Sequence, residues 1–600
     1  MAAHRAAPSE NAGRPVPTAQ DLALALGRDS PIYQRTFTQL LELFRQAQGT
    51  PGVDLRYREW AVYLSAAVPS VECSEELFVN HTYLALVARL VARYFLSPGA
   101  PVSGAEELAH IIDGDYFREQ GIDNYIEDDF FTWLLIPDIV ASGESGLKTM
   151  GWLANALASY DFSRTPPGLL TGLYHQLTGG PPNGPSPGDI HTPYWLAEYV
   201  LQEELGLGTD GEQSVLDPCC GPGTFLAAAV RLHAERLAGE GQDDFDSLLH
   251  ILDRVMGMDI HPLAVTVART NYLLSLGSLV QGVHVPVLLP VYLSGPIATA
   301  RNPGSSVLSN GGPEPVYTFH TETREEMFQV PDSVASNLES LDWLFARLPN
   351  YLRGAETRGS KGDDEAAQAV LNAYYNYLVA PKLRTPIPEP LSRFAADTMV
   401  ATAAKLINRY LQGAGLFWPF ILKNLPASVY MARRKFDLVV SNLCQPVTAE
   451  ASGSGKEDRL GPTAAASGGE SGREAEISPG DDPAGDRWSE YTALYLNDAG
   501  RTALIMPFDA QASGGSGAVT GYKSQATPLY QRADKVVDLS GVDGLSSPPY
   551  CVLIGNKSLA SLQPASTTTL KGTAPSDDAR WEQAREHVTI VDEGPLTLPD

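Results

Sequence analysis

The sequence predicts an α/β fold: a parallel, doubly wound sheet that follows a helical N-terminal region and is interrupted by a helical insertion. Three observations lead to this prediction. Apolar residues recur at helical spacing in the first quarter of the chain, as at Leu84, Val87 and Leu90. From Ser214 the pattern becomes apolar strand, glycine turn and helix, and strands that alternate with helices imply a parallel sheet. Helical spacing returns over about residues 337–425 before the strand pattern resumes.

The composition indicates a globular protein of two or more domains. Of the 600 residues, 44% are apolar and 19% are charged, close to globular averages. The 43 Lys and Arg against 71 Asp and Glu give a net charge of −28, which excludes a freestanding basic coat for nucleic acid. Five cysteines, an odd number spaced too widely for a zinc finger, favour a reducing compartment and no metal site. We therefore expect a cytoplasmic protein.

The chain lacks the apolar patterns of membrane proteins. Its first residues contain no apolar signal core. The longest apolar stretches, such as Val283–Leu293, contain proline and fall short of the roughly 20 residues that a membrane span needs. No membrane association is predicted.

Shifts in composition divide the chain into five parts. The run Pro181–Gly188, rich in proline and glycine, is expected to connect the helical region to the sheet. After the insertion the sheet resumes at Phe436–Val440, Thr502–Met506 and Tyr550–Ile554. Residues 448–487 contain too few apolar side chains to offset the entropy of ordering, so we expect a disordered loop. The predicted parts are a helical N-terminal region at 1–180, a first half of the sheet domain at 181–300, a helical insertion at 301–425, a second half of the sheet domain at 426–560 and a C-terminal tail at 561–600.

The most informative segment is a turn between the first strand and its helix. The strand ends in Asp217, and Gly221 and Gly223 allow a tight turn in which a ligand can approach the backbone. A dinucleotide fingerprint requires a third glycine where this chain has Leu226, so NAD is disfavoured. A Gly-x-Gly pair can also be an ordinary strand-to-helix turn, and that alternative stays open on these residues alone.

A second acid marks the end of the next strand. Asp259 follows Met256–Met258, which places a carboxylate at the carboxyl edge of the sheet, where it can accept both hydroxyls of a ribose. A turn suited to a compact zwitterion, beside an acid suited to a ribose, predicts S-adenosylmethionine as the cofactor.

These segments resemble a known family. Asp217–Leu226 has every fixed position of the Asp-Pro-x-Cys-Gly-x-Gly-Thr-Phe-Leu signature of adenine-N6 DNA methyltransferases from restriction-modification and phage-defence systems. His191–Val200 is similar to the family's Tyr-Thr-Pro-x-x-Leu-Ala element, which closes over the methionine end of the cofactor, and Asp259–Val265 resembles its second motif. The resemblance implies a Rossmann-like class I sheet, dependent on S-adenosylmethionine. It also implies the cofactor-binding residues Thr192, Pro193, Asp217, Gly221, Gly223, Thr224, Asp259 and Ile260.

Weaker similarities extend to both sides of the cofactor motifs. Glu76–Leu84, Asp129–Trp133 and Gly415–Trp418 with Asn424 resemble elements of long family members that have helical N-terminal regions. Ordinary core packing also explains these patches, and His81 is interpreted as a core histidine with its hydrogen bonds satisfied.

The catalytic loop departs from the family pattern. The family holds a flipped-out adenine with Asn-Pro-Pro followed by an aromatic residue, in which an Asn oxygen and a backbone carbonyl accept the two amine hydrogens. Here Ser441–Pro446 retains Asn442 but lacks both prolines and the aromatic residue. The resemblance implies Asn442 and the carbonyl of Leu443 as catalytic groups. Ser294 stands where the family's third motif has an acid. Cys444 resembles a cytosine-C5 nucleophile only superficially, and a buried packing thiol is the alternative.

Two functions follow from these observations. The first is a DNA methyltransferase that acts on adenine N6 in double-stranded DNA. The second is a catalytically inactive methyltransferase-fold subunit, structural or regulatory, of a defence complex. Because no sequence-reading domain follows the sheet, we expect base recognition to come from the helical regions or from a separate specificity or defence-system subunit.

Overall fold

The protein is described by a computed structural model, which covers most of the helical region and the sheet. The two long segments 342–390 and 443–492 are almost entirely outside it, as is the predicted disordered loop at 448–487. The described residues are 13–67, 71–126, 130–137, 139, 146–178, 192–208, 212–281, 285–294, 313–320, 327–338, 341, 372, 391–411, 417–424, 426–442, 493–507, 533–545, 550–557 and 566–595.

The first part of the described chain is helical. Its central element is Glu75–Leu96, which begins where the Ser74 side chain accepts a hydrogen bond from the Leu77 amide at 3.1 Å. This helix is buried along almost its whole length because shorter helices surround it. The helices are α1 (Ala19–Leu26), α2 (Pro31–Ala47), α3 (Pro51–Ala67), α4 (Glu75–Leu96), α5 (Ala105–Asp113), α6 (Asp115–Glu119), α7 (Gly146–Leu157) and α8 (Thr171–Thr178), with 3₁₀ turns at Phe130–Leu135 and Phe162–Arg164.

In the part of the chain that the structure describes, a nine-stranded sheet packs against the helical region. The strands are β1 (Val215–Asp217), β2 (Val255–Asp259), β3 (Val291–Leu293), β4 (Val316–His320), β5 (Met327–Pro331), β6 (Phe436–Asn442), β7 (Leu496–Pro507), β8 (Lys535–Asp543), β9 (Tyr550–Asn556), β10 (Ser566–Thr573) and β11 (Val588–Pro595). The order of the sheet is β11-β10-β8-β9-β7-β6-β1-β2-β3, and β4 and β5 form a separate hairpin. The strands β3, β2, β1, β6 and β7 are parallel, whereas β9 runs antiparallel to both β7 and β8.

The strand order confirms the predicted α/β, Rossmann-like fold. From β1 the chain adds β2 and β3 on one side and β6 and β7 on the other, so the winding direction reverses between β1 and β6. Ligands of such sheets bind at this reversal, beyond the carboxyl ends of the strands. Helix α9 (Tyr194–Tyr199) precedes β1. The helices that follow or connect the strands are α10 (Thr224–Gly239), α11 (Asp244–Arg254), α12 (Pro262–Leu276), α13 (Asp332–Ala335), α14 (Arg393–Leu411), α15 (Phe417–Asn424), α16 (Ala427–Arg434) and α17 (Trp581–Ala584).

The helical region and the sheet share one hydrophobic core. The Tyr125 hydroxyl joins them, because it bonds the Ala88 carbonyl of α4 at 3.0 Å and the Thr270 hydroxyl of α12 at 2.8 Å. Asn124 exchanges two hydrogen bonds with the backbone of Leu289, just before β3, at 2.9 and 2.7 Å. The helices therefore pack directly against the part of the sheet that contains the predicted cofactor site.

Helix α12 is a long apolar helix of this core. Within the part of the chain that the structure describes, only the stretch Pro262–Val280 is long and apolar enough to cross a membrane, with a mean hydropathy of 1.2. Of that window, 78% is buried inside the fold. Its apolar composition is thus that of a helix packed on both sides.

Two predicted parts differ from the structure. The insertion at 301–425 is not wholly helical, since β4 and β5 form an antiparallel hairpin that packs against α14. The interval 561–600 is not a tail, because β10 and β11 extend the sheet beyond β8. The sequence of β10 is Ser-Thr-Thr-Thr-Leu-Lys-Gly-Thr, whose threonines favour strands even though the run has a polar composition.

Candidate active site

The glycine turn between β1 and α10 is shaped by two residues in the left-handed region. Gly221 has φ +51° and Gly223 has φ +86°, and the Gly223 amide donates to the Cys220 carbonyl at 2.8 Å. A Cβ at Gly223 would lie 3.0 Å from the Cβ of Ala268 on α12, whereas a Cβ at Gly221 would meet no atom of the described residues within 4 Å. Gly223 is therefore required for helix packing, and among the described residues Gly221 has open space beside it.

The position of the missing third glycine has a structural explanation. Leu226, in the first turn of α10, lies against Gly257 of β2, where a Cβ would come within 2.4 Å of the Leu226 Cδ1 atom. In dinucleotide-binding folds the third glycine lies on the helix and permits close packing on the sheet. Here the glycine lies on the strand and the large residue lies on the helix. The helix therefore still packs closely on the sheet, but the small residue is on the strand instead of the helix.

Asp259 ends β2 and holds the glycine turn. Its Oδ2 atom accepts the Gly221 amide at 2.8 Å, and its Oδ1 atom accepts the His261 amide at 2.8 Å. Burial raises the pKa of this carboxyl, and the two amides oppose the rise. A carboxylate has about four acceptor positions, so further hydroxyl donors can still be accepted. The structure thus places the two predicted binding positions in direct contact.

Asp217 links β1 to β6 at the reversal of the strand order. Its side chain is 2% exposed, and its Oδ1 atom accepts the Cys219 amide at 3.1 Å and the Ser441 hydroxyl at 3.2 Å. Burial raises the pKa of Asp217 to about 8, with a smaller contribution in the same direction from Asp259. At neutral pH this carboxyl is therefore largely protonated.

Asn442 and Thr192 meet at the same edge. Asn442 is the last residue of β6, and its Nδ2 atom donates to the Thr192 hydroxyl at 2.9 Å. Thr192 is buried, and Pro193 follows it as the N-cap of α9. The predicted catalytic residue Leu443, like the Cys444 that follows it, lies outside the described residues. The edge therefore brings together Thr192 and Asn442, which are 250 residues apart in sequence.

Thr224 and Ile260 occupy flanking positions. Thr224 is the first residue of α10 and its hydroxyl lies 3.4 Å from that of Thr171 in α8. Ile260 is half-buried between Asp259 and His261. Thr224 directly follows Gly223, and Ile260 directly follows Asp259, so both adjoin the turn in sequence.

The helical region contributes side chains that the sequence analysis did not select. The Tyr63 hydroxyl donates to the Ser294 carbonyl at 3.4 Å, at the position where the family's third motif has an acid. Burial raises the pKa of Tyr63, and the charge of Asp259 acts in the same direction. The Ser294 amide in turn donates to the Asp259 carbonyl at 2.8 Å. Tyr63 belongs to no local motif, and its partner Ser294 lies 231 residues away in the sequence, so the sequence alone does not predict this contact.

Two histidines pack beside this edge. The His261 Nδ1 atom accepts the Leu263 amide at 3.2 Å and so caps α12, and its ring centroid lies 5.2 Å from that of His81. His81 accepts the Trp60 indole N–H at 3.3 Å. Burial lowers the pKa of His81 well below its usual range and that of His261 to about 4, so both rings are neutral at pH 7. His81 has the satisfied, buried environment of a core histidine.

The adjacent cysteines of the turn are buried thiols. Cys219 and Cys220 are both unpaired with any other cysteine, and burial raises the pKa of each thiol well above its usual value. A neutral thiol is a poor nucleophile. They therefore act as packing residues within the turn.

One known protein is similar to this chain over a short stretch of sequence. Over 94 residues the chain is 34% identical to the adenine-specific methyltransferase PglX of Streptomyces coelicolor. The resemblance to adenine-specific methyltransferases is thereby confirmed. The match covers 14% of this chain and 8% of the length of PglX.

Solved restriction-modification proteins are also similar in structure. The methyltransferase subunit of a type I system from Streptococcus thermophilus has a TM-score of 0.34 and 13% identity, over 93% of this chain and 96% of that subunit. The ATP-dependent type ISP restriction-modification enzyme LlaBIII bound to DNA has a TM-score of 0.38 and 9% identity, over 93% of this chain and 32% of LlaBIII. No family model matches the chain.

Proposed function

We propose that the protein is an S-adenosylmethionine-dependent DNA methyltransferase of a restriction-modification or phage-defence system, which methylates N6 of an adenine flipped out of double-stranded DNA. One observation carries this proposal. The glycine turn, Asp259 and Asn442 lie at one sheet edge, and Asn442 is bonded at 2.9 Å to Thr192 of the element that resembles the family's cofactor-closing segment.

The residues of this edge fit the proposed cofactor. Among the described residues, no atom lies where a side chain at Gly221 would begin, which leaves room for a ligand to approach the backbone of the turn. In the proposal, Asp259 accepts the ribose hydroxyls, and Asp217 and Thr192, which form hydrogen bonds at the same edge, contact the methionine end. When bound, S-adenosylmethionine supplies an activated methyl group on its sulfonium.

The chain's own contribution to the chemistry is to hold the adenine amine. The exocyclic nitrogen is a weak nucleophile because its lone pair is delocalised into the ring. In the proposal, the Asn442 side-chain oxygen and the Leu443 carbonyl accept the two amine hydrogens and favour attack by nitrogen. The loop lacks the aromatic residue that would stack on the base, which is worth roughly 1–3 kcal/mol. We therefore expect a slow enzyme, or one that depends on a partner subunit to position the base.

The test compares host DNA with and without the gene by single-molecule sequencing. We expect N6-methyladenine at a defined sequence, absent from the deletion strain and from a strain carrying Asn442→Ala. The control is Asn556→Ala, which removes an asparagine bonded to Asp534 at 3.1 Å at the opposite edge of the sheet. Adenine methylation that is identical in all strains would overturn the proposed activity.

A further inference from the structure

A short segment near the C-terminus, Asp577–Arg585, packs along α9, and we call it the C-terminal clamp. The first amides of a helix have no partner within that helix. The Tyr194 amide at the start of α9 donates to the Asp577 carbonyl at 2.7 Å. In return, the Trp581 amide at the start of α17 donates to Glu198 Oε2 at 2.7 Å. Each element thus satisfies the free donor at the start of the other.

Arg580 neutralises the buried acid of α9. The Glu198 side chain is 1% exposed, and Arg580 Nε lies 2.7 Å from its Oε1 atom. The same guanidinium bonds both carboxylate oxygens of Glu235 on α10, at 2.7 and 2.9 Å. Burial raises the pKa of Glu198, while the Trp581 amide and Arg580 oppose the rise. Because Arg580 bonds one acid on α9 and another on α10, it fixes the two helices relative to each other. Its removal would leave the buried charge of Glu198 uncompensated.

Trp581 supplies the apolar part of the clamp. Its ring is 1% exposed, with its centroid 4.8 Å from that of Tyr199 and 6.3 Å from that of Trp195. Its indole N–H donates to Glu203 at 3.0 Å, and Arg585 pairs with the same carboxylate. Aromatic packing and the indole hydrogen bond therefore act on the same helix face.

The clamp is connected to the site through α9. Thr192 lies two residues before the start of α9 and accepts the hydrogen bond of Asn442. At the other end, Glu204 in the π-helical turn Val200–Glu204 pairs with Lys535 of β8 at 2.8 Å. The position of Thr192 is consequently set by how α9 is held.

We propose that Arg580 and Trp581 are positioning residues for the cofactor site: they hold α9 so that Thr192 faces the methionine end of the cofactor and the Asn442 amide. This inference rests on the proposed function for the identity of the cofactor. Neither side chain is part of the predicted site, and their effect passes through α9.

The test uses Arg580→Ala, the milder Arg580→Lys, and Trp581→Phe, which keeps an aromatic side chain but removes the indole N–H that bonds Glu203. The control is Arg45→Ala, which removes an arginine paired with Glu75 and Glu76 in the helical region. Two quantities are measured in the full chain: hydrogen exchange of the Tyr194–Tyr199 amides, and the dissociation constant of S-adenosylmethionine by calorimetry.

We expect Arg580→Ala to speed exchange in α9 selectively and to weaken cofactor binding by about 5- to 150-fold, the range of coupled sites. Arg580→Lys should restore part of both, and Arg45→Ala should change neither. If Arg580→Ala does not fold, Arg580→Lys and Trp581→Phe decide the matter. Unchanged exchange and affinity in the folded variants would overturn the clamp. Absence of binding by the wild type would overturn the proposed function instead, while the exchange rates would still show whether the clamp holds α9.

Discussion

Asp217 is a residue whose protonation is strongly altered by the fold. It is buried between β1 and β6, its pKa is raised to about 8, and its polar contacts are the Cys219 amide and the Ser441 hydroxyl. In an unfolded chain the pKa of an aspartate is about 3.9. Between these two pKa values the folded state therefore binds more protons than the unfolded state. The contribution of Asp217 to the free energy of unfolding is complete below about pH 4, falls as the pH rises, and is lost above about pH 8.

The substitution Asp217→Asn should remove this pH dependence. An amide accepts the same hydrogen bonds without a buried charge, so between pH 6 and pH 9 the wild type should lose on the order of 2–3 kcal/mol more free energy of unfolding than the variant. Urea unfolding at pH 6 and pH 9 measures the difference. The control is Asp498→Asn, which alters an exposed acid paired with Lys557. The pKa of Asp498 is lowered by this pairing, so Asp498 titrates below pH 6. An unchanged pH slope in Asp217→Asn would show that Asp217 does not titrate as described.

At the scale of elements, the packing of α10 on β2 depends on a large residue of the helix, Leu226, facing a glycine of the strand, Gly257. Leu226 fills the space above Gly257, and a Cβ at Gly257 would come within 2.4 Å of it. A buried leucine shortened to alanine costs about 2–5 kcal/mol, and an added methyl in a full site costs about 1–3 kcal/mol. The two changes act on the same volume in opposite directions.

We therefore predict strong coupling between Gly257→Ala and Leu226→Ala. The double variant should be less destabilised than the sum of the single variants, by about 0.5–3 kcal/mol. Chemical denaturation of the wild type, both single variants and the double variant completes the cycle. The pair Gly257→Ala with Leu237→Ala, a buried leucine near the other end of α10, serves as the uncoupled control. If the destabilisations by Gly257→Ala and Leu226→Ala simply add in the double variant, the packing of Leu226 does not depend on Gly257.

The elements also show what local sequence can predict. β1, β2 and β6 are apolar runs that end in a polar residue, and both their existence and their shared edge follow from the pattern. β10 and β11 escape this reasoning because threonine, lysine and acidic residues are frequent in them, so the two runs read as a polar tail; the buried stretch of β10 is itself mostly threonine, at Thr568–Leu570. In the site, the glycine turn is local and predictable. The Thr192–Asn442 and Tyr63–Ser294 contacts join distant parts of the chain, so only the folded structure reveals them.

At the scale of the whole molecule, the helical region and the C-terminal clamp support one edge of the sheet. The helical region reaches the edge through Tyr63 and is bound to the sheet core by Tyr125. The C-terminal clamp reaches it through α9. A site built from three separate parts of the sequence should lose its geometry when any one of them is displaced, even where no side chain in that part contacts a ligand.

The central claim is that the edge formed by the glycine turn and Asp259 binds S-adenosylmethionine. Titration calorimetry of S-adenosylmethionine into the wild type and Asp259→Ala tests it most directly, with Asp498→Ala as a control at an exposed acid. Hydrogen bonds to a charged group contribute about 1.5–3 kcal/mol. We expect saturable binding by the wild type and the control, and binding at least about tenfold weaker in Asp259→Ala. Equal affinities in Asp259→Ala and the wild type, or no binding by the wild type, would contradict it.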